Sequence, residues 1–309
     1  MPGAFAHITA AQCASENTAL ARLTMPSEAK RIISQNIKFI ELGCVSPDYP
    51  YLAVTSPSQA QWADCMHYER TGEMLKALIT KVKERPSGAE KQKAFAWLCG
   101  YIGHVIADIT IHPVVERRVG PYEQNKRAHR VCEMNQDAFI WETKLKLGGV
   151  GYADRVRENI GTCGDPDDDS KLNSVVGQVW TESLLQTYPE CVSQSVPKTS
   201  DWHNAFQAVV DSADEGHRLF ALARHVAVDQ GLTYPTLEEV EHSYIYNLDT
   251  PRGLMNYEEV FDRAVANIRS YWEIAAQAVF EGGPVDAFLN WNLDTGETPD
   301  GCLTAWDAS

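Results

Sequence analysis

His104, Asp108 and His112 are residues of metal-ligand type, and they recur every four positions in the run Gly103-His104-Val105-Ile106-Ala107-Asp108-Ile109-Thr110-Ile111-His112. On a helix that spacing projects all three side chains from one face, within about one quadrant. Val105, Ile106, Ile109 and Ile111 between them are apolar, which predicts a buried helix. Buried polar groups without partners are costly, so the three must meet hydrogen-bond partners or a cation. Seventeen residues further on, His129 and Glu133 repeat the i, i+4 spacing. Either set alone reads as an ordinary buried histidine with a partner; two sets this close together point to a metal centre built from imidazole and carboxylate.

The elements that must hold these residues are helical. Apolar residues follow a helical rather than an alternating period along most of the chain, and no run reads convincingly as strand. Ser27 can cap a helix with Ile33, Ile37 and Ile40 on one face, which Gly43 is expected to stop. Gly43 to Tyr51, with two prolines around Asp48, reads as a rigid loop. A helix starting near Ser58 to Gln61 carries Trp62 to Tyr68, and Arg85-Pro86-Ser87-Gly88 makes a turn. The ligand helix is expected from about Lys93 to His112, ending before Pro113. A further helix from about Asn125 to Leu147, closed by Gly148-Gly149, carries His129 and Glu133.

Asp165-Pro166-Asp167-Asp168-Asp169-Ser170 lacks the spacing of a calcium loop and reads as a solvated acidic turn. Helices are expected near 171–187, 201–228 and 236–246. The last long helix begins at the Asn256-x-x-Glu259 cap, with Tyr257, Phe261, Val265, Ile268, Trp272, Ala275 and Val279 on one face. Asn247-Leu248-Asp249-Thr250 recurs as Asn292-Leu293-Asp294-Thr295, two similar turns that could line one cleft. The expectation is an all-α multi-helix bundle around a polar centre, with nothing resembling a linker and a single domain over 1–309.

Composition narrows the function. The 309 residues carry a formal net charge of −15, which argues against a phosphate-backbone binder and against docking on anionic membranes, leaving room only for a small local basic patch. No continuous apolar run is long enough to cross a membrane. Met1 to His7 has neither a basic nor an apolar signal region, so the expectation is a cytoplasmic protein, one exported by a signal-free route, or a trimmed mature form. Eight cysteines include no C-x-x-C pair, which argues against zinc-finger chemistry and leaves His and carboxylate as the metal ligands; several read as buried small hydrophobes, and disulfides would require export.

In chain order the ligand-type residues are His7, Asp48, His67, His104, Asp108, His112, His129 and Glu133. Their contexts are Ala6-His7-Ile8, Gly43-x-x-Ser46-Pro47-Asp48-Tyr49, Asp64-x-x-His67-Tyr68, Gly103-His104-x-x-x-Asp108-x-x-x-His112-Pro113 and His129-x-x-x-Glu133. This pattern resembles the zinc-dependent phospholipase C family. Nearest in pattern are the catalytic domains of glycosylphosphatidylinositol-specific phospholipase D, and the wider superfamily includes the fungal single-strand nucleases. The C-terminal half carries no motif of the family; helices within 170–290 would complete the bundle and its cleft.

The resemblance implies a trinuclear cluster, two to three Zn²⁺ per chain, in an all-α fold. By analogy Asp48, His67, His104 and Asp108 would hold one zinc and His112, His129 and Glu133 a second. Asp108 would bridge to a third that His7 completes. Neighbouring zincs would share a hydroxide that attacks a phosphoryl group, with Asp48 orienting the attacking water; Asp48 and Asp108 are thus the expected catalytic residues. Secreted relatives begin with a tryptophan whose amine and carbonyl ligate zinc. Here Met1-Pro2 stands instead, which leaves the third site open.

The other histidines are weaker candidates. Glu238-x-x-x-His242 repeats the spacing but sits in a charge-rich segment and reads as a solvated pair. His217 and His225 lie on an amphipathic stretch, and His203 has no evident partner. Three functions compete: a phosphodiester hydrolase acting on a phospholipid headgroup, a nuclease-like hydrolase using Lys126, Arg127 and Arg130 as a basic strip, and a family member recruited to a soluble metabolite.

Overall fold

One buried helix is the axis of the molecule. The computed structural model describes residues 3–52, 57–146, 149, 154–214 and 234–307. In chain order the helices are α1 (Ala4–Ala14), α2 (Asn17–Leu20), α3 (Ser27–Gln35), α4 (Ile37–Val45), α5 (Pro57–Tyr68), α6 (Thr71–Glu84), α7 (Ala89–Val119), α8 (Tyr122–Ile140), α9 (Asp154–Gly161), α10 (Ser174–Thr187), α11 (Pro189–Val192), α12 (Thr199–Asp214) and α13 (Tyr257–Glu281). Every residue of α7 from Ala94 to Val115 is buried, and α1, α3, α4, α6, α8, α10 and α13 pack against it. The fold is all-α.

The α7 helix is long and apolar enough to cross a bilayer, but its apolar stretch is wholly buried by its neighbours, as in a core helix. Its length departs from expectation, because it continues through Pro113 for a further six residues. Proline removes one backbone N–H and crowds the carbonyl four residues earlier, here that of Ile109. Packing on all sides outweighs this local cost. Gly296, at φ +72°, lies against that same turn: a Cβ there would come within 2.6 Å of the Ile109 oxygen and 2.7 Å of the Pro113 ring. The neighbouring Thr110 carbonyl accepts a hydrogen bond from Trp306 Nε1 at 3.0 Å.

Gly43 does not stop a helix either. The break comes earlier, at Asn36 (φ −126°, ψ 37°), whose side-chain amide donates back to the Ile32 carbonyl at 2.9 Å. Gly43 lies inside α4 and faces Gly100 of α7. A Cβ on Gly43 would lie 2.1 Å from the Trp97 carbonyl oxygen, and one on Gly100 would lie 2.0 Å from that of Ile40. The two glycines let the backbones of α4 and α7 touch. After α4 the expected rigid loop is a 3₁₀ segment, Ser46–Leu52.

Strands, which sequence periodicity did not reveal, form two small antiparallel hairpins among the described residues: β1 (Gly164–Asp165) with β2 (Asp168–Leu172), and β3 (Leu248–Thr250) with β4 (Gly253–Met255). The acidic turn joins β1 to β2, where the Asp167 N–H donates to Asp165 Oδ1 at 3.0 Å. That pairing delays the expected helix at 171 until Ser174. The expected helix over 236–246 is instead two 3₁₀ turns, Leu237–Glu239 and His242–Tyr244. Glu238 and His242 therefore do not share a helix face. Of the helix expected over 201–228, α12 is the described part; His217 and His225 lie outside the described residues. The α13 helix begins at the Asn256/Glu259 capping box and ends at Gly282 in the left-handed conformation. Its expected apolar face is buried throughout.

Candidate metal centre

Three turns of α7 place His104, Asp108 and His112 on the face that meets α1, α4 and α5. The close α4–α7 approach brings the Cys44 carbonyl to His104, whose Nδ1 donates to it at 2.9 Å. His67, at the end of α5, donates Nδ1 to Ala63 at 2.7 Å. His112 bonds through Nδ1 to the carbonyl of Leu293, and His129 through Nε2 to that of Gly120 at 2.6 Å. Each bond fixes the tautomer and leaves the other ring nitrogen with a lone pair aimed inward, the arrangement a metal-ligating histidine needs.

Those nitrogens converge on carboxylates. The Nε2 of His7 lies 3.2 Å from Asp108 Oδ1, and the Nε2 of His104 lies 3.2 Å from Asp108 Oδ2. His67 Nε2 lies 3.2 Å from Asp48 Oδ1 and 3.4 Å from His104 Nε2. His104 Nε2 also stands 3.9 Å from Asp48 Oδ1, and His112 Nε2 stands 4.0 Å from Asp108 Oδ1. Two compact donor sets result, His7/His104/Asp108 and Asp48/His67/His104, each with its ligand atoms within 4.8 Å of one another and every residue buried. His104 belongs to both.

His129 and Glu133 form a looser pair, with Nδ1 and Oε1 3.9 Å apart. The Glu133 charge acts on both His129 and His112. Among the described residues, these three do not close into a set as compact as the other two. Pro2, whose amine could serve the third site, lies outside the described residues.

The electrostatics demand a cation. Burial pulls His104 down, but the Asp108 and Asp48 carboxylates outweigh it and push it up to about 9. Burial works against the Asp108 carboxylate, yet His104 and His112 hold it well below the usual range. Burial lowers His7, with His104 adding to the effect, and brings His112 down to about 4. Two buried carboxylates thus stabilise positive charge among these imidazoles, whether carried by a proton or by a metal ion. Among the described residues, both ring nitrogens of His7, both oxygens of Asp108, Asp48 Oδ1 and His112 Nε2 are buried without a hydrogen bond. Such orphaned polar atoms at the centre of a core are costly, and a metal would satisfy those that carry an inward lone pair. Imidazole and carboxylate donors in this number fit Zn²⁺.

Several supporting residues escaped sequence reading. The second tetrapeptide turn reaches the centre: Leu293 N–H donates to the His67 carbonyl at 2.9 Å while its own carbonyl holds His112. Asp294 accepts from Tyr68 Oη at 2.9 Å. The two tetrapeptides are not similar turns: Leu248–Thr250 is a strand of the β3–β4 hairpin, while the Asn292 side chain accepts from the Asp294 and Thr295 N–H groups in a turn. Asp137, on α8, accepts from the Ala6 N–H at 2.8 Å and from Tyr234 Oη at 2.9 Å. It thereby pins the start of α1, one residue before His7, to the helix of His129 and Glu133. Gly3 has no side chain because a Cβ there would overlap the Asp137 carboxylate.

No curated protein and no solved structure matches the chain. The family model described as zinc dependent phospholipase C matches residues 6–189, from the residue before His7 through α10. That span takes in both compact donor sets and the His129–Glu133 pair and covers more than half of the chain, which belongs to the zinc-dependent phospholipase C family.

Proposed function

We propose that the protein is a zinc-dependent phosphodiester hydrolase whose substrate is the headgroup phosphodiester of a phospholipid. The observation that carries this reading is the Asp108 carboxylate, whose two oxygens face His7 and His104 at 3.2 Å each, so that it could serve two metal ions at once. In this reading Asp48, His67, His104 and Asp108 would hold one zinc, His112, His129 and Glu133 a second, and His7 with Asp108 a third. When bound, zinc polarises phosphoryl oxygens and lowers the pKa of water.

The chain's own residues do the rest. The backbone carbonyls of Ala63, Cys44, Leu293 and Gly120 keep the imidazoles in the tautomer that ligates. Of the eight residues in the proposed centre, Asp48 has the most exposed side chain, at 6%. It is therefore the group that accepts a hydrogen bond from the attacking water and aligns it with phosphorus. The apolar wall of α7 and α13 excludes bulk solvent from behind the centre.

Family membership and the net charge of −15 support a lipid headgroup over a polynucleotide. The basic strip beside His129 does not form one surface: Arg130 is buried against the Tyr234 ring, and Lys126 pairs with Glu123 at 3.2 Å. The test is a substrate panel of phosphatidylcholine, phosphatidylethanolamine, phosphatidylinositol, bis(p-nitrophenyl) phosphate and single-stranded DNA, assayed with and without chelator. Chelator-sensitive release from one or more phospholipids is expected. Cleavage of DNA alone, or of no phosphodiester, would overturn the reading.

A further inference from the structure

Cys65 and Cys191 lie 126 positions apart in sequence, yet their Sγ atoms meet at 2.7 Å. That is inside the ordinary contact distance of two sulfur atoms and longer than the ~2.05 Å covalent bond. Cys65 sits on α5, two residues before His67, and Cys191 on α11. Both are buried, at 6% and 7% exposure.

The two segments are held in register on either side of the thiols. At one end of α5 the Gln59 side chain donates to the Val196 carbonyl at 3.0 Å and accepts from Lys198 N at 3.2 Å and Trp202 Nε1 at 2.8 Å. At the other, Tyr188 Oη donates to the Glu69 carbonyl at 2.9 Å. There Arg70 pairs with Glu190 and lies 5.1 Å from the centre of the Tyr188 ring. The contact between sulfurs is the middle of a seam. Other cysteines have different neighbours: the Cys44 and Cys163 thiols donate to the carbonyls of Glu41 and Asn159, and Cys302 to Asp300.

We propose that Cys65 and Cys191 form a disulfide that fastens the His67-bearing helix to the segment following α10. Its formation is a thiol–disulfide exchange with a small-molecule or protein disulfide as oxidant. One cysteine thiolate attacks the oxidant and expels one of its sulfurs as a thiol, leaving a mixed disulfide. The second cysteine thiolate then attacks the protein sulfur and expels the other oxidant sulfur. Two electrons and two protons pass to the oxidant, which ends as two thiols. Because the folded chain nearly covers both sulfurs, the bond forms while α5 and α11 dock, in an oxidising compartment. The long loop it closes makes its effect on stability large.

The test is performed on the wild-type full chain, refolded with zinc in a mixture of oxidised and reduced glutathione. Thiols are then labelled with a maleimide under denaturing conditions and counted by mass. Of the eight cysteines, six are expected to be labelled, with peptide mapping joining Cys65 to Cys191. Treatment with reductant should restore all eight and lower the melting temperature by about 5–10 °C. Cys65→Ser, with seven labelled thiols, should melt where the reduced wild type does. Eight free thiols after oxidative refolding, a bond between any other pair, or identical melting before and after reduction would overturn the proposal.

Discussion

His7 and Asp108 face each other at 3.2 Å across the junction of α1 and α7, while the second Asp108 oxygen faces His104. One carboxylate lies between two imidazoles on different helices, and in the proposed centre Asp108 would be shared by neighbouring metal ions. Asp108→Asn should therefore remove more zinc and more activity than any single histidine substitution. His7→Ala should remove about one zinc ion per chain and leave the fold intact. Elemental analysis and circular dichroism of the two variants check this. A larger loss in His67→Ala or His129→Ala would give the bridging role to another residue.

The imidazoles are aimed by a contact between backbones. Gly43→Ala would drive a methyl group into the Trp97 carbonyl of α7, forcing the helices apart. The expected cost is about 2 kcal/mol or more in urea unfolding. Since the Cys44 carbonyl that orients His104 moves with α4, chelator should strip zinc faster from the variant. Unchanged stability and an unchanged stripping rate would show that α4 does not aim His104.

Asp137 acts at one remove, by anchoring Ala6. Asp137→Ala should weaken zinc binding at the His7 position by about 10–100-fold, the usual effect of losing an outer partner. Asp137→Asn keeps an oxygen for the Ala6 N–H and should restore most of it. Calorimetric zinc titration distinguishes them; equal affinities in both variants would remove the anchoring role.

His203 sets a pH dependence apart from the metal. It is buried with both ring nitrogens lacking hydrogen bonds among the described residues, its ring centre 6.0 Å from that of Tyr49, and burial lowers it to about 4 from an ordinary 6.5. The unfolded chain thus takes up this proton first as pH falls. The stability contributed by the neutral ring is complete above 6.5 and lost as pH drops through 4. The shift corresponds to about 3 kcal/mol. In metal-stripped protein, His203→Phe should lose less stability than wild type between pH 7 and 4. Parallel pH curves would contradict this.

The ladder on α7 could be read from sequence because helical geometry alone aligns His104, Asp108 and His112. Long apolar helices such as α13 declared both their cap and their buried face in the same way. Gly43 and Pro113 misled for one reason: their local preferences are to stop a helix, and tertiary packing overrode them. Gly43 serves contact with α7, while Pro113 is enclosed by the turn at Gly296 and by neighbouring helices. The Leu293 carbonyl and Asp137 were invisible because a backbone acceptor has no sequence signature and a lone aspartate gives no sign of its distant partner. The short hairpins were missed because runs of two to five residues show no period.

The central claim is that these buried donors together form a multinuclear zinc centre. It is tested most directly by elemental analysis of protein purified without chelator and dialysed against metal-free buffer. The account predicts at least two zinc ions per chain, falling in Asp108→Asn. Less than one zinc ion per chain, with the helical fold intact, would contradict it.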